Sequence, residues 1–192
     1  MITSQYSPSP SPNLSPGTTN FVHGFPFVAI SLGLICKKRP VLGVIYNPFL
    51  DYLYTGIKGH GSYLSRNKQP PKKLPLSAPR PLPSLSRALI AVEWGSDRSQ
   101  TAAGSKAESF LRLTGDPNHA SPVKGGKMAH SLRSLGSAAL NFSMVAQGGM
   151  DMYWYVIPAS PWHYFMNTRF AQGNRLLVRN LSSGDSDIDC DD

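Results

Sequence analysis

Cysteine is scarce in this sequence, and long apolar runs are missing. The 192 residues include only two cysteines, Cys36 and Cys190, and neither lies near another cysteine or a histidine pair at metal-ligand spacing. A disulfide framework or a structural zinc site is therefore not expected. No apolar run approaches the roughly 20 residues of a membrane-spanning helix, and the first residues lack the basic start and apolar middle of a secretory signal. We therefore expect a soluble, cytoplasmic protein.

Acidic residues are scarce as well, except at one end of the chain. Five of the eleven Asp and Glu residues lie in the last eight positions, so residues 1–184 carry nineteen Lys and Arg against six acids, a net charge of +13. This balance suits an anionic partner such as a phosphate, a nucleic acid or a membrane surface, although a solvated basic surface is the more common explanation. The basic residues are scattered and not interleaved with aromatic ones, so we predict no nucleic acid and no membrane as partner. A basic nucleic-acid binder, kept as an alternative, would bind a random duplex less tightly as salt rises.

The composition changes along the chain and divides it into four stretches. Residues 1–16 hold four prolines among five serines and predict a disordered arm. Residues 17–83 predict an antiparallel sheet unit that ends in a proline-rich connection from position 69, and residues 84–163 predict part of a second α/β unit. Residues 164–192 show no sustained period, end in Ser, Gly and Asp, and predict a loose acidic tail.

Alternating apolar residues predict the secondary structure of the two central stretches. Four short β-rich runs separated by turn residues, at 25–35, 41–49, 51–57 and 61–65, indicate an antiparallel meander. Further on, strand, helix, strand, helix and strand patterns follow one another at 87–94, 101–113, 130–137, 138–149 and 151–157, and the second helix ends at glycines. That alternation predicts a mixed or parallel sheet flanked by helices, so the fold class is α/β (α+β).

One short motif carries a chemical signal. Residues 17–24 read GTTNFVHG, in which a glycine precedes two hydroxyl residues. Such a turn can direct successive backbone amides toward an anion. By itself the string is more typical of a simple turn or helix cap.

The wider sequence around this motif resembles a known family. Three blocks resemble segments that occur in the same order in the inositol monophosphatase family of magnesium-dependent, lithium-sensitive phosphatases: GTTNFVHGFPFVAISLGL, VLGVIYNPFLDYLYTGIKGHGSYL and HSLRSLGSAALNFSMVAQGGMDMYW. The chain resembles a fungal-like member over roughly residues 17 to 156. The resemblance implies a layered sheet-and-helix sandwich, incomplete here, and a small phosphorylated polyol as substrate. Because family members are typically homodimers, a homodimer is a further expectation.

The resemblance also implies roles for individual residues. Gly17 and Thr18 match the phosphate-binding positions, and the Thr18 hydroxyl matches the catalytic group that orients a water. Gly136, Ser137 and Ala138 match the substrate-binding segment that lies beside the inositol ring. Small residues at these three positions are equally consistent with close packing between a strand and a helix.

The metal positions depart from the family pattern. The resemblance implies Mg²⁺ held by carboxylates, since this hard ion takes oxygen ligands. Asn13 and Pro16 stand where the two aspartates of the family signature are expected, and His163 stands where a third is expected. Tyr155 occupies the position of a substrate-contacting glutamate, and no Gly-Glu-Glu segment precedes the motif. The sequence therefore predicts no metal ligands and very weak Mg²⁺ binding.

Two functions follow from these residues. The first is hydrolysis of inositol monophosphate or a related sugar phosphate, impaired in this chain by the missing carboxylates. The second is an inactive pseudoenzyme that binds an anion or a partner. Because the resemblance stops abruptly on both sides while the central scaffold is intact, we also expect a truncation or a frame disruption at both ends.

Overall fold

The computed structural model describes residues 17–36, 39–78, 81–95 and 97–154, with backbone only at 35, 36, 39 and 40. Within these residues the chain forms three α-helices, eight strands and one 3-10 turn at Leu85–Arg87. In chain order the helices and strands are α1 (Thr18–Val22), β1 (Ile30–Cys36), β2 (Arg39–Asn47), β3 (Tyr52–Ile57), β4 (Gly61–Arg66), β5 (Lys72–Lys73), β6 (Leu89–Val92), α2 (Gln100–Thr114), β7 (Ser131–Arg133), α3 (Ala138–Ala146) and β8 (Met152–Trp154).

The first five strands form one antiparallel sheet in the order β1-β2-β3-β4-β5. Consecutive strands pair as hairpins, and the register aligns Leu32 with Val44 and Val44 with Thr55. Residues that alternate along a strand point to opposite faces, so this alignment sorts the side chains of four strands into two separate faces. The predicted meander is confirmed.

Two details of the meander differ from the prediction. The first strand begins at Ile30 and not at position 25, because Pro26 interrupts the run and the Phe27 N–H turns back to the Phe25 carbonyl oxygen at 2.8 Å. The predicted proline-rich loop from position 69 contains a fifth strand, β5, which pairs with β4. Left-handed backbone at Asn67 and Lys68 turns the chain tightly enough to return it to the sheet.

Three shorter strands form a parallel sheet in the order β7-β6-β8. The central strand β6 pairs in parallel with both neighbours. The chain leaves β6 through α2 before it enters β7, and it leaves β7 through α3 before it enters β8, as parallel strands require. The predicted alternation of strands and helices is confirmed as an α/β arrangement.

Helix α3 lies between the two sheets. One side of it, including Leu140, packs with Ile45 and Tyr54 of the antiparallel sheet, and another side, including Phe142, packs with Tyr153 of the parallel sheet. The rings of Phe142 and Tyr153 meet edge to face with centroids 4.8 Å apart. Apolar residues around most of its circumference explain why α3 is buried, since each side has its own sheet to cover.

The ends of α3 are defined by residue type. The Ser137 side chain accepts a hydrogen bond from the Leu140 N–H at 3.5 Å and begins the helix. Gly148 has a φ of +83° just beyond the helix, so the predicted glycine end is confirmed. None of the three described helices is long and apolar enough to cross a membrane.

Candidate functional site

Gly17 begins the candidate site, and its backbone conformation and surroundings require a residue without a side chain. Its φ is +102°, a left-handed conformation that glycine adopts without strain. A Cβ added at this position would lie 2.9 Å from the Phe27 carbonyl oxygen, closer than real Cβ contacts. The next residue, Thr18, is exposed and begins the short helix α1. The GTTN string therefore turns tightly and leaves the Thr18 side chain open to solvent.

Asn20 connects this turn to a segment far away in the sequence. Its Nδ2 donates to the Phe27 carbonyl oxygen at 2.9 Å and to the Leu135 carbonyl oxygen at 2.7 Å. Residues 20 and 135 are 115 positions apart. One amide group thus holds the GTTN turn against the loop that precedes α3.

Gly136 lies next to Asn20 and close to Gly17. A Cβ added at Gly136 would lie 2.8 Å from the Asn20 Oδ1, and the φ of Gly136 is +78°. A Cβ added at Gly17 would lie 3.6 Å from the Gly136 carbonyl oxygen. The structure therefore places the first members of the two candidate sets close together.

Ser137 and Ala138 follow as the start of α3. Ser137 is buried, and its hydroxyl accepts the Leu140 N–H and so caps the helix. Ala138 is half-buried and packs against the core between α3 and the parallel sheet. Of the five described candidates, Thr18 has an exposed side chain, and Ser137 has a clear structural role.

Glu93 belongs to this region although the sequence prediction did not include it. Its Oε1 accepts hydrogen bonds from the Leu135 N–H at 3.1 Å, the Gly136 N–H at 2.9 Å and the Asn141 Nδ2 at 2.6 Å. Glu93 comes directly after β6, the central parallel strand. Ligand sites in parallel sheets lie beyond the carboxyl ends of the strands, so this position was a usable signal.

The described residues do not offer a site for Mg²⁺. The described ranges contain no group of three or more His, Cys, Asp or Glu side chains that could hold a metal ion. Glu93 Oε1 is engaged by its three N–H donors. Asp51 accepts the Tyr46 hydroxyl at 3.0 Å and Asp151 accepts the Leu89 N–H at 2.8 Å, so these two carboxylates also have local roles.

Several predictions concern residues outside the described ranges. The expected ligand positions Asn13, Pro16 and His163 lie there, as do Tyr155, the predicted arm at 1–16 and the predicted tail at 164–192. These predictions stay untested.

Most of the chain matches one protein-family model. The family model described as "Inositol monophosphatase family" matches residues 17–162. The chain belongs to the inositol monophosphatase family. The match includes the turn at Gly17, the loop at Gly136 and Glu93 between them.

Three relatives illustrate how similar the chain is to this family. Protein qutG of Emericella nidulans is 37% identical over an alignment of 144 residues that covers 72% of this chain and 42% of qutG. Inositol monophosphatase 2 of Saccharomyces cerevisiae is 38% identical over 72% of this chain and 43% of its own length. Inositol monophosphatase 3 of Solanum lycopersicum is 40% identical over 76% of this chain and 47% of its own length. The chain thus spans less than half the length of these relatives.

Solved structures agree with the fold. The inositol monophosphatase from Anabaena (Nostoc) has a TM-score of 0.60 at 30% identity, over 82% of this chain and 55% of that one. Mycobacterium tuberculosis SuhB, at 24% identity, has a TM-score of 0.66 over 82% of this chain and 56% of that one, which shows likeness of fold. The expected inositol-phosphatase-type fold is confirmed.

Proposed function

We propose that this protein is a phosphoric monoester hydrolase of the inositol monophosphatase type. Its substrate is the phosphate monoester of a small polyol, inositol monophosphate or a related sugar phosphate. The observation that carries the proposal is the contact between the GTTN turn and the loop before α3, where the Asn20 Nδ2 donates to the Leu135 carbonyl oxygen at 2.7 Å. Relatives from yeast and tomato that are named inositol monophosphatases support the same reaction class.

The two segments offer complementary chemistry to such a substrate. At the turn, Gly17 lets an anion approach the backbone without a side chain in the way, and the exposed Thr18 hydroxyl can both donate and accept hydrogen bonds. We assign the phosphate to Gly17 and Thr18, with the Thr18 hydroxyl orienting the attacking water. We assign the polyol ring to the loop at Gly136, Ser137 and Ala138. The net charge of +13 over residues 1–184 favours encounter with a phosphate dianion.

Magnesium is the point at which this chain departs from its family. The family is generally Mg²⁺-dependent, and the metal supplies an activated water and stabilises the leaving oxygen. The described residues lack a carboxylate set for Mg²⁺, and the sequence has Asn13, Pro16 and His163 at the positions implied for aspartates. We derive no metal-dependent step from these residues. The proposal is therefore a phosphatase whose turnover in this chain is strongly reduced.

A second candidate function is binding without turnover. The three neutral residues at the implied aspartate positions favour it, because neutral groups do not replace ionised ligands around a hard divalent ion. In this candidate the same turn and loop hold a phosphorylated polyol or another anion, and the protein acts as a pseudoenzyme or a partner-binding scaffold.

Phosphate release and ligand binding separate the two candidates. The purified 192-residue chain is incubated with inositol monophosphate, with and without Mg²⁺ and Li⁺, while calorimetry measures the dissociation constant. Slow, Mg²⁺-dependent and Li⁺-inhibited release above a mock preparation supports the phosphatase. Binding without release supports the second candidate, and absence of both contradicts the proposed function.

Thr18→Val is the variant that tests the assigned phosphate position. Loss of a hydroxyl that bonds a charged ligand weakens binding by about tenfold. Thr101→Val is the matched control, because Thr101 is exposed on α2 and outside the site. Equal dissociation constants for the two variants would contradict the assignment.

We also propose a homodimer, which rests on the family resemblance, and a cytoplasmic location, which rests on the lack of long apolar runs in the sequence. Sedimentation of the purified chain tests the dimer, and a monomer at all concentrations would contradict it.

A further inference from the structure

The peptide at Leu135 is held from two sides by side chains from distant parts of the sequence. Its N–H donates to Glu93 Oε1 at 3.1 Å, and its carbonyl oxygen accepts the Asn20 Nδ2 at 2.7 Å. Glu93 approaches from the end of β6, and Asn20 approaches from α1. Leu135 precedes the candidate ring-facing segment, so these two side chains fix the backbone just before it.

The next residue strengthens this arrangement. The Gly136 N–H also donates to Glu93 Oε1, at 2.9 Å. Two successive amides therefore converge on one carboxylate oxygen, and hydrogen bonds to a charged acceptor are about twice as strong as those between neutral groups. The missing Cβ of Gly136 is what permits Asn20 to approach, since an added Cβ would lie 2.8 Å from the Asn20 Oδ1.

Glu93 also connects the loop to the helix that follows it. Its Oε1 accepts the Asn141 Nδ2 at 2.6 Å, and Asn141 is fully buried in α3. Asn20 in turn connects the loop to the Phe27 carbonyl oxygen on the other side of the GTTN turn. Polar contacts thus run from α3 through Glu93, the Leu135 peptide and Asn20 to the turn at Gly17.

We propose that Glu93 and Asn20 are positioning residues that set the spacing between the phosphate-facing turn and the ring-facing loop. This inference rests on the proposed function and deepens it, because the spacing decides how much tighter a polyol phosphate binds than inorganic phosphate. Neither side chain touches the phosphate. Each acts through the backbone of Leu135 and Gly136, which must be held within about 0.5 Å for a ligand to bridge both segments.

The carboxylate arm of the experiment compares Glu93→Ala, Glu93→Gln and the control Glu108→Ala. Glu108 is exposed on α2 and pairs only with Arg112 among the described residues. Titration calorimetry measures dissociation constants for inositol monophosphate and for inorganic phosphate separately. We expect Glu93→Ala to weaken inositol monophosphate binding by about tenfold, as for a lost buried hydrogen-bond partner, and phosphate binding by less than about threefold. Glu93→Gln retains an acceptor oxygen and restores part of the loss, while Glu108→Ala leaves both constants unchanged.

The amide arm compares Asn20→Ala with the control Asn118→Ala, in an exposed turn. We expect Asn20→Ala to reduce the ratio of the affinity for inositol monophosphate to the affinity for inorganic phosphate. Asn118→Ala should leave this ratio unchanged. Amide hydrogen exchange gives a readout that needs no ligand. The Leu135 and Gly136 amides should exchange faster in Glu93→Ala, while amides in β2 and β3 keep their protection. A general loss of folding would accelerate all of them.

The outcomes distinguish this inference from the proposed function. If the wild-type chain binds inositol monophosphate but neither Glu93→Ala nor Asn20→Ala changes the ratio of affinities, the positioning role is overturned and the proposed function stands. Unchanged exchange at Leu135 and Gly136 in Glu93→Ala also overturns it. If the wild-type chain binds neither ligand, the proposed function fails, and the inference fails with it.

Discussion

Both faces of the antiparallel sheet carry apolar side chains, but only the inner face is buried. The inner face carries Ile45 and Tyr54, both fully buried. On the outer face Leu32 and Leu34 of β1 are 51% and 56% exposed, and Ile57 of β3 is 44% exposed. The register places Leu34 opposite Leu42 and Leu42 opposite Ile57, so these side chains form one continuous patch. Period-two alternation therefore decides which residues share a face, but not which face is covered.

Helix α3 is the reason for the difference. Its residues Ala139, Leu140 and Ala146 pack with the inner face. Within the ranges that the structure describes, none of the three helices packs with the outer patch in a comparable cluster. A contiguous apolar patch of this kind marks a place of contact or of aggregation.

The largest expected effect is on the inner face. Ile45→Ala should lower the free energy of unfolding by about 3 kcal/mol, because it leaves a cavity in the core beside α3. Leu32→Ala, the matched change on the outer face, should lower it by under about 1 kcal/mol, since the side chain is already half exposed. Urea unfolding of the two variants and the wild type measures both values. Equal losses would mean that the outer face is covered as completely as the inner one.

A second comparison uses one tyrosine from each face. The Tyr54 hydroxyl donates to the Gln147 Oε1 at 3.1 Å, and burial raises the pKa of Tyr54 above its ordinary value of 10.0. The folded state therefore prefers the neutral phenol. Its contribution to stability is fully present below pH 10 and is lost as the pH rises further through the raised pKa. On the outer face, the hydrogen bond to Asp51 raises the pKa of Tyr46.

Replacing each of these tyrosines by Phe should affect stability at alkaline pH differently on the two faces. Tyr54→Phe should lose about 1 kcal/mol at neutral pH, for one hydrogen bond, and its stability should fall less steeply above pH 10 than that of the wild type. Tyr46→Phe should also make the fall less steep, because the hydrogen bond to Asp51 raises the Tyr46 pKa, but by less than Tyr54→Phe, because burial raises the Tyr54 pKa further. Thermal melting across the alkaline range measures both slopes. A wild-type slope for Tyr54→Phe would contradict the buried assignment.

The smallest expected effect on stability is a charge on the outer face. Leu32→Lys should change the free energy of unfolding by within about 0.5 kcal/mol and should raise the concentration at which the protein stays monodisperse in light scattering. Thr101→Lys adds the same charge on the exposed side of α2 and is the control. If both variants improve solubility equally, net charge and not the outer patch limits it.

Much of the fold was predictable because its signals are local. Turn residues separated β1 to β4, and alternating strand and helix patterns predicted a mixed or parallel sheet, which the structure shows to be parallel. Strand β5 was not predictable, because two lysines among prolines have no period. The burial of α3 against both sheets also has no local signal beyond its apolar composition.

The candidate site was predictable in part for the same reason. Gly17, Thr18, Gly136, Ser137 and Ala138 lie in motifs that the family resemblance covers. Glu93 was not included, because its position after a parallel strand indicates only the neighbourhood of a site and not the groups that its carboxylate contacts. Its role comes from hydrogen bonds to residues 42 and more positions away.

By itself the sequence determined the family, the order of β1 to β4 and of the elements from β6 to β8, and which residues of each strand share a face. These features depend on motifs and periods that operate over a few residues. Only the tertiary structure decided that α3 covers one face of the antiparallel sheet and leaves the other exposed. It also decided that Asn20 and Glu93 meet at the Leu135 peptide, which is 115 positions from Asn20 and 42 positions from Glu93. Contacts at such separations depend on how whole layers pack, and no local pattern of residues encodes that packing.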